Sequence, residues 1–80
     1  MTELKNILSD IAKSIVDDPS QVVVTGEEDT DNVTLKLTVA PDDMGKVIGK
    51  HGKIARAIRM VMKSAANLDG KKVNVDIEDQ

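Results

Sequence analysis

The segment "MGKVIGKHGKIARAIRMVMK", residues 44–63, holds three glycines, six lysines and arginines, one histidine and no acid. The chain around it is acidic: 80 residues, 11 Lys and Arg against 14 Asp and Glu, formal net charge −3. Residues 44–68 carry six of the eleven bases (Lys46, Lys50, Lys53, Arg56, Arg59 and Lys63) and no acid. The remainder is therefore strongly negative, and a global reading of charge would point away from nucleic acid. A phosphate responds to charge within a Debye length of roughly 8 Å, so the local excess decides.

The spacing within the segment predicts a short helix over about 41–48, a corner at Gly49-Lys50-His51-Gly52, and a longer helix over about 53–67. Pro41 with Asp42 and Asp43 suits a helix start, and Met44, Val47 and Ile48 form its buried side. At about 100° per residue, Ile54, Ala57, Ile58, Val61 and Ala65 share one arc of the longer helix, with Met62 at its margin. Arg56, Arg59 and Lys63 occupy the opposite arc. Gly49 and Gly52 supply the positive φ that so short a corner needs. Gly45 inside a short helix costs about 1 kcal/mol relative to alanine. It either admits a close approach by RNA or another helix, or is merely tolerated.

Outward from this segment the pattern stays regular. Leu4, Ile7, Leu8, Ile11 and Ile15 form the apolar stripe of a first helix, stopped before Pro19. "QVVVT", 21–25, reads as a strand, and "GEEDTDN", 26–32, as an acidic connector and the least ordered segment. "VTLKLTV", 33–39, alternates strictly, with Val33, Leu35, Leu37 and Val39 on one face. Asp69-Gly70 signals a helix stop, and "KVNVDI" gives a last strand with Val73, Val75 and Ile77 inward. The order is helix, strand, strand, helix, helix, strand. It predicts one α+β domain over 1–80, a three-stranded sheet with three helices packed on one face.

Composition limits the chemistry. There is no cysteine and one histidine, so neither disulfides nor a metal site is expected. No apolar run approaches the roughly 18 residues of a membrane span, and the chain is expected in the cytoplasm. No aromatic residue is present, which removes the usual base-stacking platforms. A P-loop fails on spacing, because Gly45 and Gly49 enclose three residues rather than four and His51 follows Lys50. A dinucleotide fingerprint fails too, since "GKHG" supplies only its tail. No partner for His51 forms a catalytic relay, so no enzyme, cofactor or small-molecule substrate is expected.

The corner suits a different task. A glycine-bracketed loop lets a sugar-phosphate backbone approach closely, Lys46, Lys50 and Lys53 add charge, and the following helix points its dipole outward. "VIGKHGKIARAIR" closely resembles the core motif of the KH domain, V-I-G-x-x-G-x-x-I, here within residues 44–59. The order αββααβ is similar to the type II KH fold, with 26–32 at the variable-loop position. The resemblance covers essentially the whole chain and extends to the small stand-alone bacterial KhpA family through "PDDMGKVIGKHG" and "GKKVNVDI". It implies binding of about four nucleotides of single-stranded RNA in a groove beside the two loop-flanking helices. The RNA-binding residues it implies are Gly45, Lys46, Val47, Ile48, Gly49, Lys50, His51, Gly52, Lys53 and Arg56. It further implies an RNA chaperone working as a homodimer or as a heterodimer with KhpB, in cell-wall homeostasis and cell length control.

Two readings of the residues set expectations of their own. Glu27, Glu28, Asp29 and Asp31 would repel RNA if the connector closed over it. Met60, outside the apolar arc, and Met62 at its margin suit adaptable contacts, so a dimerisation module with secondary RNA binding is the alternative.

Overall fold

Val33, Leu35, Leu37 and Val39 are wholly buried, and their alternation makes residues Asn32–Val39 the central strand. The computed structural model describes the backbone of residues 2–79 and the side chains of 4–79; the outer ends of the predicted 1–80 domain lie outside the described residues. In chain order the elements are α1 (Thr2–Ile15), β1 (Val23–Glu28), β2 (Asn32–Val39), α2 (Met44–Ile48), α3 (Lys53–Leu68) and β3 (Lys72–Asp79). Single 3₁₀ turns at Pro19–Gln21, Pro41–Asp43 and Lys50–Gly52 join them. The sheet order is β1-β2-β3, with β1 antiparallel and β3 parallel to β2. The registers Val24↔Leu37 and Leu35↔Val75 put the apolar residues of all three strands on one face. This is the αββααβ arrangement of a type II KH fold.

Helices cover only that face. The innermost row of the first helix is Leu4, Leu8, Ala12 and Val16, with Ile7, Ile11 and Ile15 half-buried beside it. In α3 the buried residues are Ala55, Ile58, Met62 and Ala66. This rotates the core face away from the predicted arc: Met62, placed at the margin, is central and wholly buried, while Ile54 and Val61 are exposed. Alanines at 55 and 66 let the helix backbone lie close to the sheet, which larger apolar side chains would prevent. Ile48, expected in the core, is exposed, whereas Val47 is wholly buried.

The N-terminal connection is tied by one buried acid. Asp43 is 2 % exposed, and its carboxylate accepts the backbone N–H groups of Asp17 and Asp18, both at 3.1 Å. It caps no helix; it pins the turn after α1 beneath the start of α2.

Segment 26–32, read as a loose connector, is mostly structured. β1 continues through Glu28, leaving a turn of Asp29, Thr30 and Asp31. Asp29 N–H donates to Asn32 O at 2.9 Å, and the Asp29 carboxylate accepts Asn32 N–H at 2.8 Å and Asp31 N–H at 3.1 Å. Lys72 N–H reaches Asp31 O at 2.9 Å, and Lys71 pairs with Glu28, so the hairpin is fastened to the turn after α3.

Candidate nucleic-acid interface

The corner 49–52 is built from backbone states that few residues adopt. Gly49 has φ 75°, ψ 173°, a combination essentially confined to glycine. His51 (φ 58°, ψ 24°) and Gly52 (φ 74°, ψ 16°) are both left-handed, and His51 is the one non-glycine residue with positive φ among the described residues. These angles turn three carbonyls back toward α3. Gly49 O accepts from Gly52 N–H at 3.1 Å, Lys50 O from Lys53 N–H, and His51 O from Arg56 Nη2 at 2.9 Å. The corner therefore commits these three carbonyls to donors of the chain itself.

The two glycines are required for different reasons. A Cβ on Gly49 would lie 2.6 Å from Cγ1 of Ile54, a contact no real side chain tolerates. A Cβ on Gly52 would meet nothing within 4 Å, so there the positive φ alone selects glycine. Gly45, also with open space around it, has no packing reason to be glycine.

Charge follows the same division. Lys50, His51 and Lys53 are exposed and carry no ion pair or side-chain hydrogen bond among the described residues. They sit at the start of α3, which has no side-chain cap and whose positive dipole end lies at the corner. Lys46 is engaged elsewhere: it pairs with Asp17 and lies 3.8 Å from Asp43. The hydrogen bond to Asp17, first, and the charges of Asp17, Asp43 and Asp42 hold its ammonium above the ordinary lysine range, opposed by a smaller desolvation effect. Val47 faces the core and presents no side chain to a ligand.

A second basic strip adjoins the corner. Arg59 Nε donates to Val75 O at 3.2 Å, on the open edge of β3. Arg59 and Lys63 there line a trough of about 430 Å³ with Thr34, Asn74 and Asp76. Arg59 and Lys63 were visible in the sequence only as a charged helix face. Asn74 and Thr34 were not singled out, because nothing local shows that β3 is an edge strand lying beside α3.

The acids sit at the other end. α3 has 16 residues, about 24 Å of helix, between the corner and the turn that holds the hairpin. Glu28, held below the usual carboxylate range chiefly by its bond from Lys71, and Asp29, held there by the N–H groups of Asn32 and Asp31, are committed to the hairpin. They lie well beyond a Debye length from the corner. In this fold the hairpin carries Glu28 and Asp29 away from the basic loop.

The "KhpA/KhpB, KH domain" family model matches residues 5–77. "RNA-binding protein KhpA" of Clostridium acetobutylicum is 51% identical over 74 residues, covering 92% of this chain and 99% of the relative. The protein of the same name from Listeria monocytogenes is 40% identical over 74 residues, again 92% of this chain and 97% of the relative. Among solved structures, Aquifex aeolicus Era bound to GDP and aluminium fluoride superposes with a TM-score of 0.74 at 13% identity. That match covers 96% of this chain and 30% of Era. Era in complex with MgGDPNP and nucleotides 1506–1542 of 16S ribosomal RNA gives 0.70 at 16% identity, over 95% of this chain and 29% of Era. At such identities the likeness is one of fold.

Proposed function

The chain belongs to the KhpA/KhpB KH-domain family, and we propose that it binds single-stranded RNA through the corner 49–52 without catalysing a reaction. The observation that carries this reading is the chemistry of the corner: three carbonyls held by donors of the chain itself, and unpaired cations beside a helix start with no side-chain cap. Such a surface selects phosphate oxygens, which only accept hydrogen bonds. Lys50, His51 and Lys53 contact the backbone of about four nucleotides, with Gly49 and Gly52 giving it access and Ile48 beside them. The strand then runs along the strip of Arg59 and Lys63 at the β3 edge. Lys46 lends charge at longer range, and Gly45 leaves the α2 surface bare. With about three phosphates neutralised, log affinity falls against log salt with a slope near −2.

The names of the relatives support RNA as the ligand. The finer physiology extends the proposal on resemblance: a cytoplasmic RNA chaperone acting with KhpB or with a second copy, in cell-wall homeostasis and cell length control.

One observation favours a second reading, a dimerisation module with weaker RNA binding. Ile54, Ala57 and Val61 of α3 form with Ile11 and Ile15 of α1 an open apolar trough of about 320 Å³. Met60, 69 % exposed, stands outside it on the same helix. The double substitution Lys50→Asp with His51→Asp separates the readings. Aspartate tolerates the left-handed conformation, so the fold should persist. RNA cross-linking is expected to disappear while self-association is unchanged; undiminished RNA retention would favour the interaction module.

A further inference from the structure

We propose that Arg56 is a positioning residue: its guanidinium holds the corner in its left-handed state by binding His51 O, instead of contacting a phosphate itself. This rests on the RNA-binding reading above but concerns a contact present in the free protein. His51 occupies a left-handed conformation that is unfavourable for a residue carrying a Cβ. Its carbonyl follows those of Gly49 and Lys50, which accept backbone N–H groups. His51 O instead takes a side-chain donor, Arg56 Nη2 at 2.9 Å, from the first turn of α3. Without that donor, the carbonyl dipole loses the cation that fixes its direction beside Lys50 and His51, and the loop is freer to leave its left-handed state. A charged donor on a neutral acceptor is among the stronger hydrogen bonds, sufficient to offset that backbone cost. The contact thus couples helix start to loop shape.

Arg56→Gln in the full chain, with and without His51→Gly, tests the assignment. In the free protein, the His51 one-bond Cα–Hα coupling, which is lowered at positive φ, should lose its left-handed value in Arg56→Gln. With fluorescein-labelled octa-uridylate as probe, affinity should fall about tenfold, while the salt slope stays that of the unsubstituted chain. Glycine at 51 adopts positive φ freely, so in the His51→Gly background the same substitution should cost less than about twofold. Arg56→Lys, which keeps the charge but not the fork, should likewise leave the slope unchanged and keep only part of the affinity. A slope shallower by about 0.7, with His51 still left-handed and the loss undiminished in the glycine background, would make Arg56 a phosphate contact and overturn the proposal. Should the unsubstituted chain fail to bind octa-uridylate at low salt, the RNA-binding reading fails for that probe, and the His51 coupling alone decides the positioning role.

Discussion

The two ends of α3 use the same backbone device, a glycine with positive φ, and leave it in opposite chemical states. At the C-terminal end Gly70 (φ 71°) closes the helix: Lys71 N–H returns to Ala66 O and Gly70 N–H to Asn67 O, both at 3.0 Å. The turn then fastens the acidic hairpin through Lys71, Glu28, Lys72 and Asp31. Lys71 and Glu28 pair there through their side chains, and Lys72 and Asp31 through their backbones. At the N-terminal end Gly49 and Gly52 open the helix, no side chain caps it, and Lys50 and Lys53 have no partner among the described residues. A fold that satisfies one helix end and leaves the other donor-rich has separated a structural corner from a receptive one. The helix length keeps the acids of the first away from the cations of the second.

Substitutions that equalise the two corners test this contrast. Gly49→Ala should have the largest effect, because glycine-only angles and the encounter with Ile54 combine; urea unfolding is expected to show a loss of about 3 kcal/mol. Asp43→Ala, which frees the backbone N–H groups of Asp17 and Asp18 in the turn after α1, should cost about 2 kcal/mol in the same measurement. Gly52→Ala and Gly70→Ala face open space and strain only φ, so each should cost about 1 kcal/mol. Equal losses at 49 and 52 would mean that Ile54 does not set the shape of the corner.

Acidification should loosen the closed end. Glu28 and Asp29 have depressed pKa values in the fold, so their contribution is complete above the unfolded carboxylate range and is lost as pH falls below about 4. Amide exchange at Asp31 and Asn32 should accelerate there before exchange in α3. The smallest effect belongs to Gly45→Ala, expected to be neutral or stabilising by up to about 1 kcal/mol, since its Cβ meets nothing. A loss of RNA affinity without a loss of stability would assign that glycine to ligand approach.

The sequence makes one end of α3 far more readable than the other. The receptive corner is written in five adjacent residues, Gly49 to Lys53, because its angles, charge and helix start are all local. The closed corner depends on Lys71 meeting Glu28, 43 positions away, and acids in a strand run against propensity, so β1 seemed to end at Thr25 instead of Glu28. The same limit hid the pairing of Lys46 with Asp17 and the role of Asp43. In α3 the apolar arc was visible, but periodicity does not separate a core face from an exposed apolar face. The small residues Ala55 and Ala66 mark the side that packs, and Ile54 and Val61 the side that does not.

The most direct measurement is a nuclear magnetic resonance titration of the full chain with an unpaired oligoribonucleotide. The account predicts the largest amide shifts at Lys50, His51, Gly52 and Lys53, smaller ones along Arg59 and Lys63, and none at Asp29–Asp31. Shifts concentrated on the hairpin or on the outer sheet face, with the Lys50 and His51 amides unmoved, would contradict it.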